Sequence, residues 1–178
     1  MPCRWCIARG AGAQTLKQES SSSPCRKEWR DTSEAMSQKN VESLRQGLEA
    51  VNRRDKAAWL ALCDPELENI PPRDWPESDP IRGSEPVFDF YVEAQDAWGE
   101  DSSPYRYDEL IDVATDKVAA WMSADVRGKA SGARVAWGYW QVVTFRNGKV
   151  LRIEWFGERA EVLEAVGQSR QDADTDSS

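Results

Sequence analysis

Residues 134–157 read RVAWGYWQVVTFRNGKVLRIEWFG and carry the clearest structural signal in the chain. Apolar and aromatic residues recur on both sides of Asn147-Gly148, the dipeptide most favoured in a two-residue hairpin turn. The pattern therefore predicts two antiparallel strands, Arg134–Arg146 and Lys149–Gly157, joined by this tight turn. In a regular hairpin Arg146 pairs with Lys149, and pairing continues outward in step.

The predicted register assigns the side chains of the hairpin to its two faces. Gln141 falls opposite Glu154 and Tyr139 falls opposite Phe156, so one face is a mixture of polar and aromatic groups. The other face carries an almost purely apolar set, namely Trp140, Val142, Leu151, Ile153 and Trp155. Patterning alone leaves open which of the two faces is the inner one.

The remaining periodicities predict the elements around the hairpin. We expect helices over 37–53, 56–63 and 84–98, a short strand over 66–70, strands over 105–114 and 117–127, and a closing helix over 158–166. Ser84 is the expected N-cap of the third helix. Helices and strands segregated along the chain in this way indicate an α+β fold, with helices packed on one face of a bent sheet.

A proline-rich segment, 71–83, separates the short strand from the third helix. Four prolines within it forbid a helix or an inner strand, so we predict a long ordered loop. Two interpretations stay open for this loop. It is either a lid that places Trp75 at a pocket mouth or a solvated connector.

One domain is expected over 36–167. Residues 1–35 lack apolar periodicity and are predicted to be a disordered extension, and the polar residues 168–178 a disordered tail. Cys3 and Cys6 have a zinc-like spacing, but the other two cysteines and the absence of histidine do not complete a ligand set. We therefore expect no metal site.

The composition excludes several classes of function. The chain has no histidine, which rules out Ser-His-Asp and Cys-His nucleophilic catalysis and histidine metal sites. Its net charge of −8 argues against a nucleic-acid partner, because binding a phosphate backbone requires clustered Lys and Arg. No apolar run is long enough for a membrane helix or a secretory signal, so a cytoplasmic protein is expected.

Three strings carry a resemblance to a known family: RGSEPV at 82–87, NGKV at 147–150 and ERAEVLEAVG at 158–167. They resemble SnoaL-like members of the nuclear transport factor 2-like superfamily, over most of 37–167. The resemblance implies a cystatin-like α+β roll, in which N-terminal helices close a cone-shaped, curved antiparallel sheet around an apolar pocket. It also implies cofactor-free chemistry and frequent pairing of two copies through the sheet.

A more specific resemblance is to limonene epoxide hydrolase-like members of the superfamily. The end of their sequence is similar to Glu154-Trp155-Phe156 followed by Arg159. That likeness implies that Glu154 enters the pocket as a proton donor or acceptor. It also implies that Asn69, two residues before Pro71, holds a water. The tyrosine and the Arg-x-Asp pair of those relatives are missing here, where Leu67, Met122 and Ala124 stand, so their standard mechanism is not expected.

These considerations yield one candidate site and two candidate functions. The catalytic candidates are Glu154 and Asn69, and the expected ligand-binding residues are Gln141, Tyr139, Phe156, Met122, Leu67 and Tyr91. The protein is either a cofactor-free acid–base enzyme acting on an apolar metabolite or a non-catalytic ligand-binding or dimerisation domain. Alternatively, Glu154 is a surface residue that pairs with Arg152 or Gln141. The expected partners are an apolar small molecule and a second copy of the chain, bound through the apolar face of the hairpin.

Overall fold

The computed structural model describes residues 24–72, 75, 79–129 and 131–175, with side chains described from 37 to 167 within those ranges. Its helices are α1 (Pro24–Asn52), α2 (Lys56–Leu62), α3 (Ser84–Asp96) and α4 (Arg159–Thr175). Its strands are β1 (Cys63–Ile70), β2 (Ile81–Arg82), β3 (Arg106–Ala114), β4 (Lys117–Arg127), β5 (Arg134–Arg146) and β6 (Lys149–Phe156). Cys3 and Cys6 lie outside the described residues.

The element types agree with the sequence patterns except for β2, a two-residue edge strand at the end of the segment 71–83 that was predicted to be a loop. The largest differences in bounds are at the two ends. Helix α1 begins at Pro24 and not at 37, and α4 continues to Thr175, past the predicted end at 166. The domain boundaries at 36 and 167 stay predictions. The N-cap of α3 is Gly83 and not Ser84, and its positive φ of 97° is a backbone conformation that suits glycine. Within the described residues, no helix is both long and apolar enough to cross a bilayer.

The strands form one sheet in the order β2-β1-β6-β5-β4-β3. Neighbouring strands are antiparallel except for β1 and β6, which run parallel, so the sheet is mixed and not wholly antiparallel as predicted. Because β2 and β3 are both edge strands, the sheet does not close into a barrel. The α+β class predicted from the sequence is confirmed.

Helices cover both faces of the sheet, whereas the sequence predicted them on one. We call the face beneath α1, α2 and α3 the inner face and the opposite one the outer face. The core on the inner face includes Leu44, Val51, Trp59, Leu67, Val87, Tyr91, Met122, Val143, Ile153 and Trp155. On the outer face, Val162 and Val166 of α4 pack against Trp140 and Val142. Each such buried apolar side chain contributes about 1.5–3 kcal/mol.

The hairpin turn forms as predicted, with φ of 54° at Asn147 and 76° at Gly148. Both positive values match a type I′ turn, which suits the right-handed twist of two strands. Arg146 pairs with Lys149, and Phe145 pairs with Val150. To this point the predicted register is correct.

A bulge at Leu151 then shifts the register by one residue. Thr144 pairs with Arg152, and the following pairs are Val143–Ile153, Val142–Glu154, Gln141–Trp155 and Trp140–Phe156. Because side chains alternate between the two faces of a strand, one extra residue moves every later side chain of β6 to the face opposite the predicted one. The register predicted beyond this point is therefore wrong.

The bulge also divides the apolar patch on which the homodimer prediction was based. Ile153 and Trp155 are buried in the inner core, whereas Trp140 and Val142 belong to the outer face beneath α4. The five residues of that patch do not share one surface. Pairing of two copies stays a prediction.

Candidate functional site

A cluster of aromatic side chains fills the inner face, with Trp155 at its centre. The ring of Trp155 lies 5.9 Å from that of Tyr91 and 6.1 Å from that of Tyr139. Further rings within 6.5 Å of Trp155 belong to Trp75, Phe90 and Trp137. Because aromatic rings attract at these separations in tilted and edge-to-face geometry, the cluster is a cohesive apolar wall.

Asn69 brings a polar group into this wall. Its side chain projects from β1 onto the inner face and is fully buried. Its Oδ1 accepts a hydrogen bond of 2.7 Å from Nε1 of Trp155, while its Nδ2 is buried without a hydrogen-bond partner. A buried donor left unpaired costs about 1–3 kcal/mol, so Nδ2 is the strongest indication that something else binds here.

A second polar group on the inner face is Gln141, which is also fully buried. Its Oε1 accepts a hydrogen bond of 3.2 Å from the Tyr107 hydroxyl, and its Nε2 donates one of 3.2 Å to the Tyr91 hydroxyl. Nε2 also lies 3.8 Å from the sulfur of Met122. The amide therefore connects three strands and helix α3 through bonds between neutral groups.

Burial keeps the titratable groups of this interior uncharged. It raises the pKa of Tyr91 well above the usual value of 10.0 and raises the pKa of Tyr107 as well. Burial also raises the pKa of the Cys63 thiol to about 12. At neutral pH these groups keep their protons, because the low polarity of the surroundings penalises the charged form.

Trp75, from the proline-rich segment, packs onto the same cluster. Its Nε1 donates a hydrogen bond of 2.9 Å to the Tyr139 hydroxyl. Its ring lies 5.2 Å from that of Tyr139 and 6.4 Å from that of Phe90. The indole is therefore part of the wall, and its action as a lid stays a prediction.

Glu154 lies on the other side of the sheet from these groups. It pairs with Val142, its carboxylate lies 3.4 Å from the Arg152 guanidinium, and its side chain is 31% exposed. The prediction that Glu154 enters the interior beside Gln141 is therefore wrong, because the bulge at Leu151 turns it outward. Asn69 is adjacent to Ile153 on β6 and not to Glu154.

The remaining predicted site residues divide between the two faces. Leu67, Met122, Gln141 and Tyr91 are buried on the inner face, and Tyr139 is half-buried there. Phe156 was predicted beside them but packs on the outer face with Trp140. Among the residues not singled out from the sequence, Trp155 matters most. The sequence pattern correctly placed Trp155 on one face with Ile153, but the prediction that this face is the exterior is wrong.

The acidic groups of the described side chains lie elsewhere. No carboxylate among them belongs to the inner core. The buried Asp64 accepts bonds of 3.1 and 2.8 Å from Arg146, whose positive charge and hydrogen bonds lower the pKa of that carboxyl. Among the described side chains, the polar groups of the interior are therefore neutral and lie among aromatic rings.

A separate depression of about 190 Å³ opens at the far ends of β4 and β5. Its lining includes Asp101, Asp125, Arg127 and Val135. Arg127 is already paired with Asp101 at 2.6 Å, and Arg106 is paired with Asp125 at 3.1 Å. With these charges satisfied and no contribution from the aromatic cluster, this depression is a weaker candidate than the interior around Asn69.

The sequence model of the SnoaL-like domain matches residues 44–153. No curated protein sequence matches the chain. Similar solved structures include TerC crystallised with polyporic acid, with 18% identity and a TM-score of 0.56 over 72% of this chain and 98% of that one. A putative SnoaL-like polyketide cyclase from Jannaschia sp. CCS1 has 16% identity and a TM-score of 0.57, over 72% and 92% of the two chains.

A third similar structure is RV0760c from Mycobacterium tuberculosis in complex with estradiol-17beta-hemisuccinate. It has 15% identity and a TM-score of 0.54, over 68% of this chain and 95% of that one. At these identities the likeness concerns the fold. Each of these three chains is covered almost completely, so the match extends over their whole domain.

Proposed function

This chain belongs to the SnoaL-like domain family, and we propose that it binds an apolar small molecule in the interior between the inner face of the sheet and helices α1 to α3. The observation that carries the proposal is the buried Nδ2 of Asn69, which has no hydrogen-bond partner. A ligand oxygen at this position would recover the free energy that the unpaired donor costs.

The walls around Asn69 fit such a ligand. Asn69 is bonded to Trp155, and the rings of Tyr91, Tyr139 and Trp75 pack around that indole. Aromatic side chains offer large contact areas to apolar molecules. Pockets for small molecules typically combine such a lining with a few well-placed polar groups. Asn69 and Gln141 are polar groups of this kind.

Binding is favoured over the acid–base chemistry that was the alternative expectation. A cofactor-free acid or base must reach its substrate within hydrogen-bond distance, and Glu154 lies on the outer face beside Arg152. The polar groups that do face the interior are amides and phenols whose protons are held at neutral pH. They can orient a ligand, and the proposed role is therefore ligand binding.

Two of the structural neighbours offer support of a general kind. TerC was crystallised with polyporic acid, and RV0760c was solved in complex with estradiol-17beta-hemisuccinate. Both bound compounds are small molecules. A protein with the same fold and an aromatic interior is a reasonable candidate for ligands of similar size.

A matched pair of tryptophan variants tests the proposal with the neutral fluorescent dye Nile red. Trp155→Phe removes the N–H that fixes Asn69 and reduces the aromatic contact area of the inner wall, whereas Trp140→Phe makes the same change on the outer face. We expect the wild type and Trp140→Phe to bind the dye with equal affinity, and Trp155→Phe to bind it at least about fivefold more weakly. Equal binding by all three proteins would show that the dye site is not the interior.

A further inference from the structure

Several polar groups of the interior are hydrogen-bonded to one another. Four of their oxygens already accept a hydrogen bond from a neighbour within the protein. Oδ1 of Asn69 accepts from Trp155, Oε1 of Gln141 accepts from Tyr107, and the Tyr139 hydroxyl oxygen accepts from Trp75. The Tyr91 hydroxyl oxygen accepts from Nε2 of Gln141.

Three groups of the interior keep hydrogens that no residue in the described part of the chain accepts. Nδ2 of Asn69 is buried and unpaired. The hydroxyl hydrogens of Tyr91 and Tyr139 have no acceptor among the residues that the structure describes, because each hydroxyl makes its hydrogen bond as an acceptor. A tyrosine hydroxyl both donates and accepts, so each retains one hydrogen to offer.

The same interior has no charge to balance a charged ligand. Within the described side chains, its polar members are amides, phenols, indoles and one thiol. Transfer of an unpaired carboxylate or ammonium group into such surroundings is strongly unfavourable, whereas a neutral carbonyl or ether oxygen needs only the donors that are present.

We propose that the ligand of this interior is an uncharged molecule that presents an acceptor oxygen, of the carbonyl or ether type, to Nδ2 of Asn69. This inference rests on the proposed function and specifies the chemical class that it selects. The Tyr91 and Tyr139 hydroxyls are the donors available to a second acceptor oxygen. Molecules whose buried end is a carboxylate, an ammonium group or a pure hydrocarbon are discriminated against.

Two isosteric probe pairs test this selectivity by isothermal titration calorimetry. The larger pair is the ketone acetonaphthone and the alkene isopropenylnaphthalene, in which a methylene group replaces the carbonyl oxygen. The smaller pair is the ketone acetophenone and the alkene α-methylstyrene. We expect the ketone of at least one pair to bind the wild type about fivefold to tenfold more tightly than its alkene. Naphthoate and naphthylmethylammonium should bind more weakly than acetonaphthone.

Two buried asparagines provide a variant and its control. Asn69→Leu removes the free donor, so the ratio of ketone to alkene affinity should fall by at least about threefold from its wild-type value. Asn40 is also buried, but its Nδ2 is satisfied by the carbonyl oxygen of Thr115 at 3.0 Å, so Asn40→Leu should leave the ratio unchanged. If Asn69→Leu does not fold, the carbonyl stretching frequency of acetonaphthone bound to the wild type decides, because it falls when the oxygen accepts a hydrogen bond.

The possible outcomes separate this inference from the proposed function. Equal, measurable affinities for ketone and alkene in the wild type would overturn the inference and leave small-molecule binding in place. Tighter binding of either charged probe, or a ketone preference that is undiminished in Asn69→Leu, would also overturn it. Absence of binding by every probe of both sizes would overturn the proposed function itself.

Discussion

Nε1 of Trp155 donates a hydrogen bond of 2.7 Å to Oδ1 of Asn69 across 86 residues of sequence. An indole N–H can only donate, so this bond fixes the orientation of the asparagine amide. The oxygen faces Trp155, and the two hydrogens of Nδ2 therefore face away from it, where no described group accepts them. The Trp155 ring, which forms part of the apolar wall, thus also sets the direction in which the unpaired Nδ2 of Asn69 points.

Neutralising Glu154 should leave ligand binding unchanged. Glu154→Gln alters an outer-face group whose ion pair with Arg152 at 3.4 Å is partly exposed to solvent. We expect the same Nile red affinity as the wild type and a loss of less than about 1 kcal/mol in the free energy of unfolding. Urea denaturation and dye titration measure the two quantities. A large loss of affinity would restore a role for this carboxylate in the site.

Two glycine substitutions should have opposite effects on stability. A methyl group at Gly138 would lie 2.5 Å from Cζ2 of Trp121, whereas one at Gly167 in α4 meets nothing within 4 Å. Gly138→Ala should lower the free energy of unfolding by about 1–3 kcal/mol because the indole must move. Gly167→Ala should raise it by up to about 1 kcal/mol through helix propensity. Equal effects of the two changes in denaturant titrations would contradict the packing of Trp121 on β5.

The ion pair of Asp64 with Arg146 should make stability depend on pH in the acidic range. Its carboxyl has a pKa lowered from the ordinary 3.8 in the folded protein, so the carboxylate form favours folding. This stabilisation is complete above the unfolded pKa and is lost as the pH falls through the lowered folded value. Asp64→Asn should therefore be less stable than the wild type at pH 7, with the difference vanishing in strong acid.

Glu66→Gln is the control for that measurement. Glu66 contacts the same guanidinium at 2.6 Å, but its side chain is 75% exposed against 12% for Asp64. Because solvent screens exposed pairs, Glu66→Gln should change stability less than Asp64→Asn at every pH. Thermal unfolding followed by circular dichroism between pH 2 and 7 compares them. A larger effect of Glu66→Gln would contradict the burial assigned to Asp64.

Cys63 should be chemically inert in the folded protein. Burial raises the pKa of its thiol to about 12, and thiolate is the reactive form. In a background with Cys3, Cys6 and Cys25 replaced by serine, we expect no reaction with a disulfide reagent at pH 8 until urea unfolds the chain. Rapid labelling without denaturant would show that the thiol is accessible.

Deletion of Leu151 should be tolerated. The residue is the extra one in the bulge, so its removal produces a regular hairpin in which Ile153 still faces inward and Glu154 outward. Val142 lies in β5, which has no bulge. Its deletion should prevent folding, because every side chain before it in β5 would then point to the opposite face of the sheet. Far-UV circular dichroism and size-exclusion chromatography distinguish the two. Loss of structure on deleting Leu151 would contradict the bulge.

Local sequence chemistry was sufficient for the turn and for the order of every element except β2. Asn147-Gly148 adopts the two positive φ angles that its residues favour, and the bounds of β4 and β5 agree with the alternation in their sequences. These features depend on neighbours a few residues apart, which the sequence presents directly. The same holds for Leu67, Met122 and Tyr91, whose apolar character placed them in the core.

The contents of the site were decided by contacts distant in sequence. The Asn-Gly turn sets only the first two pairs of the hairpin, and the bulge at Leu151 then determines which side of β6 each later residue occupies. In the folded chain, this arrangement buries Ile153 and Trp155, and it leaves the Glu154 carboxylate beside Arg152 at the surface. The opposite arrangement would bury the Glu154 charge and expose the Trp155 indole, which is unfavourable. This cost arises only because helices α1 to α3 bury the inner face, and the local sequence does not show that burial.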